Sequence, residues 1–221
     1  MKLTFIIPVM FVAAFASAQQ TYVDNSGSIG LIYNRKAESQ KASGSQYFNE
    51  KFMPASINEG EVQVVRHNAY TDEMEVKVLE EIKVLQPENG QRVKLHAGGA
   101  TYEYVQYTDE KKVEHQSYLI LVSDNPNLKI YKKEQVILVP EQHPVGPYDK
   151  YKAPMYKKED PAYYIKIKNG DVVFFETDKS GVLSLFPEKK NEIKDFMKEN
   201  KISPSDEEDL PELGAYLSTI L

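Results

Sequence analysis

Tyr163-Tyr164-Ile165-Lys166-Ile167-Lys168-Asn169-Gly170-Asp171-Val172-Val173-Phe174-Phe175-Glu176 decides how the fold is read. Two runs rich in β-branched and aromatic residues flank an Asn-Gly pair, the strongest short-range signal for a β-hairpin. The stretch predicts two antiparallel strands joined at Asn169-Gly170. From Glu61 onward the same alternation recurs in Val62/Val64, Met74/Val76/Val78, Tyr102/Tyr104 and Tyr118/Ile120/Val122, each set on one side of its strand. Turn chemistry separates them at Gln86-Pro87-Glu88-Asn89-Gly90, Asp109-Glu110-Lys111-Lys112 and Ser123-Asp124-Asn125-Pro126-Asn127. Strands that follow one another through short polar turns, with no helical pattern between, predict an antiparallel sheet over 61–180. The fold class is then α+β, mainly β, with the sheet either a sandwich or a partly open barrel. Between Pro140 and Pro161, prolines recur among His143, Tyr148, Tyr151 and Tyr156, which predicts a long loop that does not continue a sheet.

Past the sheet the period changes. Ile193, Phe196 and Met197 share one face of a segment bounded by Pro187 and Asn200, while Leu210, Leu213, Leu217 and Ile220 recur at helical spacing. Residues 181–221 are thus expected to form a helical hairpin packed on the sheet. Its second helix has two candidate starts. Ser205 with Glu208 matches a capping box but carries Pro211 past the first turn, whereas Asp209 with Glu212 avoids that. The run Asp206-Glu207-Glu208 suits a helix N-terminus, so the reading taken is one helix from Ser205 with a local distortion.

At the other end, Lys2, an apolar run from Leu3 to Phe15 and Ala16-Ser17-Ala18 form the three parts of a secretory signal, with cleavage expected before Gln19. The run is too short for a spanning helix and no later segment approaches that length, so no transmembrane segment is expected in the mature chain, residues 19 onward. Residues 19–60 read as one short strand, with Ile29, Leu31 and Tyr33 alternating, followed by a polar connection. The chain has no cysteine, which removes disulfides, thiolate metal sites and a cysteine nucleophile at once. A formal charge of −6 offers no broad cationic field, so a nucleic-acid partner is not expected.

The chemistry-bearing residues are dispersed. His67, His96, His115 and His143 occur singly, without the spacing that sets two imidazoles on one face toward a metal. Asp72-Glu73-Met74-Glu75, Asp206–Asp209 and Asp24-Asn25-Ser26-Gly27-Ser28 lack the spacing of a calcium loop. There is no G-x-S-x-G elbow, and Gly98-Gly99, with neither lysine nor helix behind it, reads as a bulge or bend in a strand. No catalytic residue, metal or cofactor is assigned from the sequence. The one compositional excess is tyrosine, 15 residues against no tryptophan. Tyrosines fill half-buried sheet faces, and they also build stacking surfaces for ligands. Should a cleft exist, Tyr102, Tyr104, Tyr148 and Tyr151 are the binding candidates.

Gly44-Ser45-Gln46-Tyr47-Phe48-Asn49-Glu50-Lys51-Phe52, Arg66-His67-Asn68-Ala69-Tyr70-Thr71-Asp72-Glu73-Met74-Glu75-Val76 and the tail around Glu192–Phe196 and Glu208–Leu210 together resemble a family of uncharacterised secreted proteins of Bacteroidota. The resemblance runs from Gly44 to the C-terminus, and the Arg66–Val76 stretch is its distinctive part. His67 stands where the family pattern suggests an aromatic such as tyrosine, which points to a packing position. The resemblance implies no activity, but it implies a Gram-negative envelope context, periplasmic or extracellular. Two functions follow as expectations. One is a non-enzymatic envelope module that presents a groove or sheet edge to an unknown envelope protein or ligand, with Arg66, Asn68 and Asp72 fixing a turn. The other is a hydrolase whose acid/base pair comes from residues remote in sequence, such as His67 or His115 with Asp72.

Overall fold

The computed structural model describes residues 32–34, 42–96, 98–146 and 148–221. The expected signal peptide, residues 1–18, and the Asp24–Ser28 turn lie outside the described residues. In chain order the strands are β1 (Ile32–Asn34), β2 (Met53–Ile57), β3 (Val62–Asn68), β4 (Glu73–Val78), β5 (Glu81–Leu85), β6 (Arg92–Leu95) and β7 (Thr101–Thr108). They continue as β8 (Glu114–Asp124), β9 (Leu128–Lys133), β10 (Val136–Val139), β11 (Met155–Lys158), β12 (Ala162–Ile167) and β13 (Val172–Phe174). Three helices follow: α1 (Lys179–Leu185), α2 (Lys190–Glu199) and α3 (Leu210–Thr219).

Eleven strands form one sheet in the order β1-β5-β4-β3-β2-β6-β7-β13-β12-β9-β8, and β8 also pairs with β7. That extra pairing closes β7, β8, β9, β12 and β13 into a ring. The architecture is therefore mainly β, with a barrel-like ring, an open extension from β6 to β1, and C-terminal helices. The hairpin read from Asn169-Gly170 is present: β12 pairs antiparallel with β13, with Tyr164 opposite Phe174. Its left-handed residue is Lys168, φ 51°, and Gly170 N–H closes the turn on the Ile167 carbonyl at 2.9 Å. The pairings are antiparallel except where β13 meets β7, at Val172–Tyr107 and Val173–Thr108.

Alternation along the shared strands separates three apolar layers. Tyr102 on β7 and Tyr118 on β8 face the open sheet, where Ala55, Val65, Met74, Val76, Leu85 and Val93 are buried. Their sequence neighbours Val105, Tyr107 and Leu119 face the ring interior with Tyr131, Tyr164 and Val172. The outer wall of the ring, Leu128, Ile130, Ile165 and the adjoining Phe175, is covered by Val182 of α1, Ile193 and Met197 of α2, and Leu213 and Leu217 of α3. A fully buried aliphatic side chain contributes about 1.5–3 kcal/mol, so this layer is a major source of stability in a chain without disulfides.

Val62 and Val64 share a face as expected, and it is the exposed one, at 55% and 40%, because Val65 takes the inward position on β3. Several other expectations are corrected. Val122 leaves the face of Tyr118 and Ile120, since an irregularity between Leu121 and Ser123 shifts the register and sends it to the helical layer. The stretch read as polar connection contains β2, which pairs with both β3 and β6. The Pro140–Pro161 loop is not free of sheet, for Met155–Lys158 pairs antiparallel with β10 in a separate two-stranded ribbon. The prolines flank that strand rather than interrupt it. Gly98 and Gly99, at φ 85° and 71°, do not bend a strand but turn the chain between β6 and β7.

The helical region begins at Lys179, ahead of the hairpin that was expected. Asp178 caps α1 by accepting Gly181 N–H at 2.6 Å. The final helix does not start at Ser205. Glu207–Asp209 form a 3-10 turn and the α-helix begins at Leu210, which places Pro211 in the first turn, where no hydrogen bond is lost. α3 lies so close to the sheet that a Cβ on Gly214 would stand 2.3 Å from Ser123 Oγ and 2.8 Å from Ser123 Cβ. Gly to Ala inside a helix ordinarily stabilises by about 1 kcal/mol. Here Gly214→Ala is expected to destabilise by about 1–3 kcal/mol through overpacking, read as a lowered midpoint in thermal or urea unfolding. An unchanged or raised midpoint would contradict the packing described.

Candidate functional site

The outer edge of β7 is shared between two neighbours, and a gap is left between them. Tyr104 donates its N–H to the Gln91 carbonyl at 2.9 Å and accepts from Gly90 N–H at 2.7 Å, which ends the β6 side of the pairing. The chain then turns away through Gln86–Gly90, so β13 can take up the same edge only from Tyr107 onward. Main-chain groups of alternate residues face the same edge, and the parallel Tyr107–Val172 pair is bonded through the residues flanking Tyr107, so the Gln106 carbonyl is taken up by β13 while its N–H faces the gap. The result is a slot of about 320 Å³ whose lining includes Asn89, Glu103, Gln106, Glu114, Lys166 and Asp171.

The charges around the slot are unevenly satisfied. Glu103 is 8% exposed and receives Arg92 Nη2 at 2.9 Å, Lys129 Nζ at 3.3 Å and the Tyr131 hydroxyl at 3.3 Å. Arg92 also grips Asp124, at 3.0 and 3.4 Å. Gln106 donates to Glu114 at 3.2 Å. Lys166 is half-buried and, among the described residues, has no carboxylate within ion-pair distance. Deeper in the ring Lys133 Nζ contacts the Tyr107 hydroxyl. Burial holds the Lys133 ammonium below its ordinary range, against the opposing charge of Asp72.

Of the expected binding tyrosines, Tyr102 is buried in the open-sheet core and Tyr104 packs edge-on against Tyr118 at 5.0 Å. Tyr148, 96% exposed, and Tyr151, which donates to Glu141 at 2.9 Å, belong to the loop beyond β10. The slot's own residues, isolated charges and amides in turns and strands, carry no sequence pattern. The nearest available cue was the Asn89-Gly90 and Gly170-Asp171 turns, which the slot joins.

Asn68 and Asp72 stand at the β3–β4 turn, and Arg66 lies two residues before Asn68 within β3. The Arg66 guanidinium lies between the rings of Tyr47 and Phe52, 3.9 and 4.3 Å from their centroids, and donates to Glu75 at 2.6 and 3.0 Å. Glu75, 2% exposed, also accepts from the Tyr47 hydroxyl at 2.9 Å and from Asn68 at 3.1 Å. Asn68 in turn accepts the N–H groups of Tyr70 and Thr71, and Asp72 sits at φ 55°. The hydrolase reading gains one observation: His67 Nε2 lies 3.2 Å from Asp72. His115, however, pairs with Asp109 at 3.0 Å. Among the described residues no serine or threonine hydroxyl bonds to either imidazole, and the cavity beside His67 holds only about 60 Å³.

Two outcomes are expected from this geometry. Glu75→Ala leaves a largely buried guanidinium unpaired and should cost on the order of 3 kcal/mol in urea unfolding, whereas Arg66→Met combined with Glu75→Leu should recover most of it. At high pH, burial is the largest cause that raises the phenols of Tyr102, Tyr131, Tyr163 and Tyr164 above their ordinary range and Tyr107 to about 12. The folded state then holds these protons more tightly than the unfolded chain, whose tyrosines titrate near ~10. That contribution is complete below about pH 10 and is lost as pH rises past it. Tyrosinate absorbance of this group should therefore rise together with loss of the circular dichroism signal, not ahead of it.

No known family, curated protein or solved structure matches the chain.

Proposed function

We propose that the chain is an exported, non-enzymatic binding module of the cell envelope, with the slot between β6 and β13 as its ligand site. The observation that carries this reading is Lys166, a half-buried cation without an ionic partner among the described residues, set in an open cavity of about 320 Å³. Small-ligand sites are concave and carry a few polar groups that fix orientation. The His67–Asp72 pair supports a hydrolase less well, because a general base needs a nucleophile or water within reach and room for a substrate. Export is supported by the leader-like Lys2, Leu3–Phe15 and Ala16-Ser17-Ala18. Among the described residues no helix is long and apolar enough to cross a membrane.

Expression of the full chain in a Gram-negative host should yield a periplasmic or released protein beginning at Gln19. Retention in the cytoplasm with Met1 in place would remove export from the reading. Native mass spectrometry of that protein with a low-molecular-weight envelope extract should show adducts that Asn89→Trp, which fills the slot, abolishes. Adducts indifferent to Asn89→Trp would move the binding site elsewhere.

A further inference from the structure

Resting on the slot as a ligand site, we propose that its ligand is a hydroxylated monocarboxylate, an acidic sugar, whose carboxylate pairs with Lys166. The argument starts from the register of β9 and β12, which sets Lys129 and Lys166 directly opposite each other. Both lie on the inward face, at two-residue spacing from Tyr131 and Tyr164. Like charges in opposite sheet positions repel unless an anion lies between them. Lys129 has its anions, Glu103 at 3.3 Å and Asp124 at 3.7 Å. Both of those carboxylates also serve Arg92, so two acids answer two bases. Lys166 lines the cavity and, among the described residues, is the base at this end of the ring with no carboxylate in ion-pair distance.

The rest of the lining narrows the class. Glu103, Glu114 and Asp171 also border the slot, so a dianion such as phosphate meets repulsion on several sides while gaining one lysine. Ionised carboxylates only accept hydrogen bonds, so a ligand that reaches Asp171, or shares Glu114 with Gln106, does so through donors. Asn89 and Thr108 each offer a donor and an acceptor, which a hydroxyl matches in both roles and an ammonium in only one. One carboxylate surrounded by hydroxyl groups meets all of these conditions. The slot is open to solvent, so such a sugar fits as the end of a longer chain.

The probe is galacturonate, titrated by calorimetry and by amide chemical shifts against galactose, inorganic phosphate and glutamate. Galacturonate should shift the amides of Gln106, Lys166 and Asp171, and galactose should bind at least about ten-fold more weakly, the worth of one charge-assisted hydrogen bond. Lys166→Gln should lose a similar factor and Lys166→Arg should keep most of the affinity. Without ligand, Lys166→Gln should leave the unfolding midpoint unchanged or raise it, since it removes a like-charge neighbour of Lys129; a lowered midpoint would mean that Lys166 is already paired within the protein. Equal binding of galactose, indifference to Lys166→Gln, tighter binding of phosphate or glutamate, or no response to galacturonate each overturns the ligand class. If galacturonate fails while envelope adducts still vanish in Asn89→Trp, the ligand class falls and the site stands. If Asn89→Trp leaves every adduct in place, the site itself falls.

Discussion

Strand β7 has two edges and three neighbours, and the structure is organised around that mismatch. One edge is taken by β8 along its whole length, from Tyr102–Ile120 to Thr108–Glu114. The other is divided, antiparallel to β6 as far as Glu103 and parallel to β13 at Tyr107 and Thr108. The parallel contact is two residue pairs long, yet it converts an open sheet into a ring. Parallel pairing is slightly weaker per residue than antiparallel pairing, so such a short seam depends on side chains behind it. Tyr107 and Val172 supply them, packed with Tyr164 inside the ring, where the Tyr107 and Tyr164 rings meet edge-on at 4.5 Å. The slot follows from the same arrangement, because an edge changing hands between antiparallel and parallel partners leaves a position that neither covers.

The open half of the sheet is held by a different device. Glu75 is a buried carboxylate that gathers Arg66, Tyr47 and Asn68, residues from β3 and from the segment before β2. Replacing such a buried pair by well-packed apolar groups is often neutral or stabilising, so its energy alone does not account for it. What the hub supplies is a fixed path. Gln46, Tyr47 and Phe52 are held across the sheet by directed bonds and by rings on either side of one guanidinium. The Arg66–Val76 segment supplies Arg66, Asn68 and Glu75 to this hub.

Local information was legible and long-range information was not. The Tyr163–Glu176 hairpin, the strands of Met74–Val78 and Tyr118–Ile120, and the apolar faces of α2 and α3 follow from spacings of two and three to four residues, which each segment carries by itself. The seam between Tyr107 and Val172 joins positions far apart in the chain, and neither strand announces a parallel partner. Val62 and Val64 share a face as their alternation predicts, but alternation gives a face without saying which layer covers it. Ser205 misled because its acidic neighbours suit a 3-10 turn as well as a helix start, and Pro211 favours the later beginning. At the candidate site the residues are one lysine, three acids and two amides from five elements or turns, a set that only the folded ring assembles. Arg66, Asn68 and Asp72 lie within one short hairpin, so their nearness to one another needs no long-range information.

The ribbon of β10 and β11 stands apart from all of this. From Pro140 to Glu141 and from Asp149 to Ala153 its connecting loop is exposed, while β11 is tied to the rest of the chain through Ser43, which pairs with Met155, and through the Tyr70–Tyr156 ring contact at 4.9 Å. Loop ends of this kind are where chains are cut by proteases and where insertions are tolerated. A break there would leave β12 and β13 on one fragment and β1 to β9 on the other, with both the β9–β12 ladder and the β7–β13 seam running across the cut. The two pieces would thus carry complementary faces of a single barrel, and the molecule has the makings of a split reporter whose halves reassemble through strand pairing.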